Sequence, residues 1–291
     1  MIWLNVVVQG ILLGGLYALF AGGLSLMFGV MRIINLAHGD IAVLGAFGVW
    51  FVATTLHVSP FLALLPVLPV MLVFGYLLQR GLLTRSLRAG ELVPLLTTFG
   101  IAIVLQNGLQ QIFSPDVRSL SASAGSITTD SWRIGGLSIS LIGMLTLGTA
   151  VAVLGGLQLF LQRTGLGREM RATAQDPDTA QLVGINAKAV YGRATAIAVA
   201  IAALAGTFFA FRSTFSPASG PTQLIFAFEA VVIGGFGSLW GTLWGGIVLG
   251  IAQAVGAQID PQYSILAGHL VFLAFLASPR SGILAARSAH T

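Results

Sequence analysis

The chain has 291 residues, of which 56% are hydrophobic and only 8% are charged, whereas a soluble domain typically carries about 25% charged residues. This composition excludes an ordinary soluble domain and predicts an integral membrane protein. The basic excess, 14 Lys and Arg against 9 Asp and Glu, is typical of cytoplasmic loops in membrane proteins rather than of nucleic-acid binding. The sequence has no cysteine, which excludes disulfides, thiolate metal sites and cysteine nucleophiles.

Eight apolar stretches are long enough to cross a bilayer, because a helical span needs about 20 mostly apolar residues. They lie at about 6–30, 35–56, 60–79, 92–113, 137–162, 190–211, 224–256 and 262–278. The first 30 residues contain no Lys or Arg, so the basic region of a cleavable signal peptide is missing and we expect this stretch to remain as a span. The fold class is therefore predicted to be all-α, a polytopic transmembrane helical bundle.

The seventh stretch is too long for one crossing. Its glycines Gly234, Gly235 and Gly237 predict a break that divides it into two shorter helices. Irregular backbone at membrane depth is tolerated only where protein or a water-filled cavity covers it. We therefore expect this break to face the interior of the bundle.

Positive charges in the short loops predict the orientation. The loop at 80–91 has three arginines against one glutamate and is expected in the cytoplasm, whereas the balanced loop at 114–133 suits the outer side. A cytoplasmic tail with Arg280 and Arg287 requires nine crossings, while the number of apolar stretches gives eight. Because no polar segment is long enough for a soluble domain, one transmembrane domain is expected to cover 1–291.

Residues 163–193, here named the charged segment, interrupt the apolar sequence with five Lys and Arg and three Asp and Glu. Its local pattern predicts two short helices, 166–175 and 177–183. Asp176 is a favoured residue at the start of a helix, and proline is favoured at the first helical position that follows. Gly184 stands where a helix commonly ends in a left-handed conformation. The alternative is an ordered loop without a function.

Three runs resemble the LivH-type permeases of branched-chain amino acid ABC importers. They are GLSLMFGVMRIINLAHGDIAVLGAF at 23–47, GLGREMRATAQDPDTAQLVGIN at 165–186 and FEAVVIGGFGSLWGTLWGGIVLGIAQ at 228–253. The resemblance implies a type II ABC importer permease in the bacterial inner membrane. It also implies a homologous second permease, two cytoplasmic ATPase subunits that bind ATP and Mg²⁺, and an extracytoplasmic solute-binding protein.

The sequence lacks a GxxxxGK[ST] phosphate loop, so this chain is not expected to bind ATP in the usual way. We expect no cofactor and no catalytic residues in it. The charged segment is the one substantial surface that an ATPase subunit could contact. The residues predicted to make or orient this contact are Arg168, Glu169, Arg171, Asp176, Asp178 and Gly184.

Ionisable residues inside spans are candidates for function. His38 and Asp40 are two residues apart and do not share a helix face, which argues against a metal site. Asn35 and His38 are expected to hydrogen-bond the backbone between the first two spans, and Asp40 to cap a helix or pair with Arg32; a direct contact with solute is the alternative. Glu229 either orients the ammonium group of an amino acid or pairs with an arginine, Arg212.

A cluster of amides occupies the fourth span. Asn107, Gln110 and Gln111 share one helical face with i, i+3 and i+4 spacing, and exposure at the membrane surface is the favoured interpretation over a polar path. With so few converging charges, no well-formed solute site is expected in this chain alone.

The leading hypothesis is a permease subunit of an importer for branched-chain or related amino acids. The alternatives are a urea or amide permease of the same family, or a gradient-driven secondary transporter, although no convincing internal repeat supports the latter. A membrane enzyme is disfavoured because the four histidines are scattered. The solute itself and the choice between a homodimer and a heterodimer stay open.

Overall fold

The computed structural model describes residues 1–87, 89–90, 92–134 and 136–278. Within these residues the fold is helical, as predicted. The twelve helices described are α1 (Ile2–Met31), α2 (His38–Leu56), α3 (Pro60–Leu78), α4 (Thr84–Ser86), α5 (Val93–Phe113), α6 (Leu141–Arg163), α7 (Gly165–Gln175), α8 (Pro177–Leu182), α9 (Ala187–Arg212), α10 (Gly220–Gly234), α11 (Leu239–Ile259) and α12 (Tyr263–Ala277). Arg88, Glu91, Arg280 and Arg287, which entered the prediction of orientation, lie outside the described residues.

Seven helices in the described ranges are long and apolar enough to cross a membrane, namely α1, α2, α3 with its continuation through α4, α5, α6, α9 and α11. The helices α10 and α12 are shorter, with 15 residues each. A π-helical turn at Gln79–Leu83 joins α3 to α4. Helices α1 and α9 are largely buried at the centre of the bundle, whereas α3, α5 and α6 lie at its perimeter.

The predicted fifth span begins later than expected. Residues 137–140 form a strand, β2 (Leu137–Ser140), which pairs antiparallel with β1 (Ser131–Ile134). Ser140 then starts α6, because its hydroxyl accepts a hydrogen bond from the N–H of Gly143 at 3.3 Å. This cap satisfies a backbone donor that would otherwise be unpaired at the start of the helix.

The predicted break in the seventh stretch is present, since residues 235–238 separate α10 from α11. Gly235 and Gly237 have φ angles of 90° and 78°, a region that favours glycine. The two helices run antiparallel, as nine crossings require, because Gly241 lies against Gly234 and Gly245 against Ala230.

The predicted position of this break in the bundle interior is wrong. Residues 235–238 are exposed. Gly237 lies against Gly29, and the rings of Phe28 and Phe236 are 4.2 Å apart, near the end of α1. The reason is that the chain reverses direction here, and the backbone groups of a tight reversal are most easily satisfied at the end of a bundle, where water is available.

Glycines allow α1 and α11, the two helices with the most extensive mutual contact, to approach closely. A Cβ atom at Gly246 would lie 2.7 Å from the carbonyl oxygen of Gly14 and 2.8 Å from the backbone nitrogen of Ala18. Gly250 meets Gly10 and Gly14 in the same way one turn later. In lipid, such small residues permit the backbone contacts that hold helices together.

We expect Gly246→Leu to destabilise the protein, because overpacking a close helix contact typically costs about 1–3 kcal/mol. The melting temperature of the purified protein in detergent should fall by several degrees. Gly148→Leu is the matched control, since Gly148 lies in α6 with open space around its Cα. An equal effect of the two substitutions would contradict the proposed role of the α1–α11 contact.

Candidate functional site

Helix α2 begins in the middle of the bundle rather than at its end. The Nε2 atom of His38, its first residue, lies 2.9 Å from the carbonyl oxygen of Phe20. Phe20 precedes the end of α1 at Met31 by 11 residues, which is about 16 Å along the helix axis. The non-helical residues 32–37 therefore return from the end of α1 towards the middle of the bundle.

A central polar cluster satisfies the backbone of this return. The N–H of Ala37 donates to Asn35 Oδ1 at 3.0 Å, and the N–H of Leu36 donates to Thr98 Oγ1 at 3.1 Å. His38 Nε2 carries the hydrogen of its bond to Phe20, because a carbonyl can only accept. Asn35 and His38 are fully buried. Asn35 therefore hydrogen-bonds the backbone of residues 32–37, and His38 hydrogen-bonds the backbone of α1.

Asp40, which was predicted to cap a helix or to pair with Arg32, has a hydrogen-bond partner that was not predicted. Its Oδ1 accepts a hydrogen bond from Gln106 Nε2 on α5 at 3.0 Å. Arg32, the predicted partner, is exposed at the end of α1, and no ion pair joins it to Asp40 among the described residues. The pairing with Arg32 is wrong because the return of the chain separates the two side chains.

Asp40 also lies where two helices start. A Cβ atom at Gly220, the first residue of α10, would come within 2.8 Å of the Cα of Asp40, and one at Gly39 would lie 3.1 Å from the nitrogen of Leu224. The N-termini of α2 and α10 thus converge on one carboxylate. Negative charge is favourable there, because the unpaired N–H groups give a helix a partial positive charge at its start.

A second polar cluster surrounds Glu229 on α10. Its Oε1 lies 2.5 Å from His269 Nδ1 on α12, and its Oε2 is buried without a hydrogen-bond partner in the described part of the chain. Tyr17 donates to Gln253 next to this pair. The predicted alternative partner, Arg212, instead donates to the carbonyl oxygen of Leu12 at 3.2 Å, so that pairing is wrong.

The amides of α5 divide between two faces. Asn107, Gln110 and Gln111 are exposed, and their predicted position at the membrane surface stays a prediction. Gln106, on the inward face, reaches Asp40. The described residues contain no group of three or more His, Cys, Asp or Glu side chains that could hold a metal ion.

The charged segment folds into the two predicted helices, α7 and α8, joined by an elbow at Asp176. The Asp176 carboxylate accepts the N–H groups of Asp178 at 2.9 Å and of Thr179 at 3.1 Å, as well as the hydroxyl of Thr179. These bonds, led by the one from the Thr179 hydroxyl, lower the pKa of Asp176 from its ordinary value. Gly184 has a φ of 87° just after α8, which matches the predicted left-handed end.

Several charged residues of this segment hold it in place. Arg193 on α9 pairs with Glu169 at 3.2 Å, and Arg171 donates to the carbonyl oxygen of Leu161 at the end of α6. Met170 is buried. Gly167 packs so tightly against α6 that a side chain at this position would overlap the backbone of Leu161. Helix α7 is thereby fastened to α6 and α9, and it also contacts α1.

The outward surface of the elbow carries both charged and apolar side chains. Arg168 and Asp178 are exposed. Leu182 and Val183 at the end of α8 are 87% and 74% exposed, although they belong to the most polar segment of the chain. Sequence reasoning missed this pair; the available signal was two adjacent aliphatic residues directly before Gly184.

The site therefore consists of separate parts. Asn35, His38 and Asp40 lie together with Gln106 and Gly220, which were not predicted. Glu229 lies with His269, Tyr17 and Gln253, also not predicted. The predicted coupling residues are all in the elbow region, and the break glycines Gly234, Gly235 and Gly237 lie at the end of α1, apart from both polar clusters.

Comparisons with known proteins agree with this arrangement. The family described as "Branched-chain amino acid transport system / permease component" matches residues 6–276. The high-affinity branched-chain amino acid transport system permease protein BraD of Pseudomonas aeruginosa is 33% identical, over 97% of this chain and 95% of BraD. The corresponding permease protein LivH of Escherichia coli is 28% identical, over 95% of this chain and 93% of LivH.

A solved structure is similar in fold. The structure of PsaBC from Streptococcus pneumoniae in complex with Fab superposes with a TM-score of 0.51 at 12% identity, over 96% of this chain and 94% of the matched one. The helices thus form an all-α membrane permease, a multi-pass protein of the bacterial inner membrane. A family of this kind implies ATPase and binding-protein partners and, in general, a second permease. With its sequence matched from Val6 to Leu276, the chain belongs to the permease family of branched-chain amino acid transport systems.

Proposed function

We propose that this chain is the membrane-spanning permease subunit of an ATP-binding-cassette importer for branched-chain or related amino acids. It pairs with a homologous permease, receives solute from an extracytoplasmic binding protein, and is driven by two ATPase subunits that hold the ATP and Mg²⁺. This chain itself performs no catalysis. The names and coverage of the relatives BraD and LivH support the solute class.

The elbow of α7 and α8 is the observation that carries the coupling role. It is folded by its own caps and fastened to the bundle, yet it presents Leu182 and Val183 to water. Exposed apolar side chains surrounded by polar ones are typical of protein interfaces. In this proposal Leu182, Val183, Arg168 and Asp178 contact an ATPase subunit, whereas Glu169, Arg171, Asp176 and Gly184 orient the elbow.

A movement of the elbow would reach the spans directly. Helix α7 contacts α1, α6 and α9, and α1 carries Phe20, the partner of His38. A displacement of a packed helix is transmitted as a rigid-body shift, because close-packed contacts deform little. The ATPase would in this way change the relative positions of α1, α2 and α10.

The two polar clusters are the proposed residues of the solute path. Asp40 and Glu229 are only 1% and 3% exposed, which corresponds to a closed passage in this conformation. Glu229 has one carboxylate oxygen without a partner in the described structure. We propose that this oxygen binds the ammonium group of an amino acid when the passage opens. Weak binding suits a protein that is loaded by a separate binding protein.

We expect Leu182→Glu and Val183→Asp to reduce ATP-dependent uptake and co-purification of the ATPase subunits by about tenfold or more, which corresponds to a loss of about 1.4 kcal/mol of binding. Stability should not change, because both side chains are exposed. Val117→Asp is the matched control, since Val117 is 63% exposed in the loop predicted on the opposite side. Normal coupling in the elbow variants would refute this docking surface.

We expect Asp176→Ala to increase hydrogen exchange of the amides of residues 178–182, because the helix loses its capping acceptor. Asp176→Asn should retain protection, and Asp178→Ala serves as the control on the same helix. Since folding lowers the pKa of Asp176, the stabilisation is fully present above the unfolded-state pKa and is lost as the pH falls through the folded-state pKa. The protection factors of these amides, which compare the observed exchange with the intrinsic rate at the same pH, should therefore fall in acid in the wild type but not further in Asp176→Ala.

We expect Glu229→Gln to lower uptake about tenfold or more, the effect of losing about 1.4 kcal/mol, while the melting temperature stays near that of the wild type. Glutamine can still hydrogen-bond His269 but carries no charge for an ammonium group. Gln253→Glu should not rescue the variant, because its side chain is held by Tyr17. Unchanged uptake by Glu229→Gln would rule out the ammonium contact.

A further inference from the structure

Two buried polar atoms next to α12 have no hydrogen-bond partner in the described part of the chain. They are Oε2 of Glu229 and Nε2 of Gln253, and each of the two residues is only 3% exposed. An ionised carboxylate only accepts hydrogen bonds, whereas an amide nitrogen only donates them. An unpaired buried polar group costs free energy and calls for an explanation. The proposed function uses the carboxylate oxygen and leaves the amide nitrogen without a role.

Both side chains face the same turn of α12. The other carboxylate oxygen of Glu229 lies 2.5 Å from Nδ1 of His269. A Cβ atom at the neighbouring residue, Gly268, would lie 3.0 Å from Nε2 of Gln253. The unpaired acceptor on α10 and the unpaired donor on α11 are therefore brought to adjacent residues of one helix.

The charges in this part of the bundle balance each other. Tyr17 donates its hydroxyl hydrogen to the amide oxygen of Gln253, and Arg212 and Glu229 are both close enough to act electrostatically on Tyr17. A zwitterionic ligand would leave the balance between this cation and this anion unchanged. A ligand with a single charge would add net charge to the interior of the bundle, which is costly.

Apolar side chains surround the same group of residues. The ring of Phe226 lies 5.0 Å from the ring of Tyr17, and Cδ1 of Leu249 would lie 3.1 Å from a Cβ atom at Gly268. Phe226 and Leu249 are buried. A few polar groups that fix the orientation of a ligand, set among apolar side chains, are the usual composition of a small-molecule site.

We propose, on the basis of the proposed function in which Glu229 takes the ammonium group, that Gln253 binds the α-carboxylate of the same amino acid when the passage opens. An α-amino acid carries a donor group and an acceptor group on one carbon atom, which is the complement of the two unpaired atoms. Tyr17 orients the amide of Gln253, and Phe226 and Leu249 contact the aliphatic side chain of the solute. Gln253 is then a specificity-determining residue of the solute path.

Solutes that lack one of the two charges fit these groups less well. An amine has no acceptor for the amide of Gln253, and a carboxylic acid has no ammonium group for Glu229. A neutral amide offers both a donor and an acceptor but has no charge to pair with the carboxylate, and hydrogen bonds between charged groups are the stronger ones. The two residues together therefore select for a zwitterion.

A labelling experiment tests this selection with photo-leucine, a leucine analogue that carries a photoreactive diazirine. The complex of permease and ATPase subunits is labelled in lipid nanodiscs, both without nucleotide and during ATP hydrolysis. The binding protein is omitted because its own specificity would enter the result. Labelled peptides from α10 to α12 are quantified by mass spectrometry. The competitors are leucine, isoamylamine, which lacks the carboxylate, isocaproate, which lacks the ammonium group, and isocaproamide, which is neutral.

In the wild type, leucine should compete about tenfold or more better than each of the three analogues, the effect of losing one hydrogen bond to a charged group. Gln253→Met should remove the advantage of leucine over isoamylamine, because methionine has a similar length but no donor. Glu229→Gln should instead remove the advantage of leucine over isocaproate. Gln258→Met is the matched control, since Gln258 is exposed on the same helix, and it should leave every preference unchanged.

Three results would overturn the proposal. One is a preference for leucine over isoamylamine that persists in Gln253→Met. Another is competition by isocaproamide as strong as that by leucine in the wild type, and the third is no protection of α10 to α12 by leucine in either state. The two wild-type results are decisive even where Gln253→Met does not fold. A failure of the ammonium contact alone is distinguishable, because Glu229→Gln would then change nothing while Gln253→Met still removed the preference over isoamylamine.

Discussion

The backbone between α1 and α2 is the part of the structure on which the arrangement of the other helices depends. Its peptide groups lie inside the bundle, where no bulk water can bond them and each unpaired group would cost several kcal/mol. Asn35 and Thr98 supply acceptors for two of its N–H groups, and the N–H of Arg32 bonds the carbonyl oxygen of Phe28. These bonds determine the depth at which α2 starts, and with it the position of Asp40.

Close backbone contacts then place the remaining helices around α2. Gly45 lies against Ala203 and Gly206 against Ala42, which brings α9 to α2, while Gly220 brings the start of α10 to Asp40. Because these contacts leave no room for a side chain, the N-termini of α2 and α10 meet at Asp40, which Gln106 of α5 also reaches. In the proposed mechanism, the same tight packing transmits a displacement of α7 to Asp40, because no flexible segment lies between them.

The elbow, which is predicted to be cytoplasmic, obeys a different constraint, since it is stabilised locally by Asp176 and Gly184. Its attachment to the bundle depends on Glu169 and Arg171, which bond α9 and α6, and on Met170, which is buried. The outward surface is consequently free to carry apolar side chains. The proposed ATPase contact lies on this surface and therefore acts on the position of α8.

The sequence by itself determined the class of the protein, most helix positions and the local structure of the charged segment. These features depend on composition and on interactions between residues close in the chain, such as the Asp176 cap and the φ angles that Gly184, Gly235 and Gly237 favour. Tertiary structure alone decided the partners of Asp40 and Glu229, which are Gln106 and His269, 66 and 40 residues away along the chain. It also decided that residues 235–238 face outward and that Leu182 is exposed, because both depend on which helix surfaces are covered by others, and no local pattern carries that information.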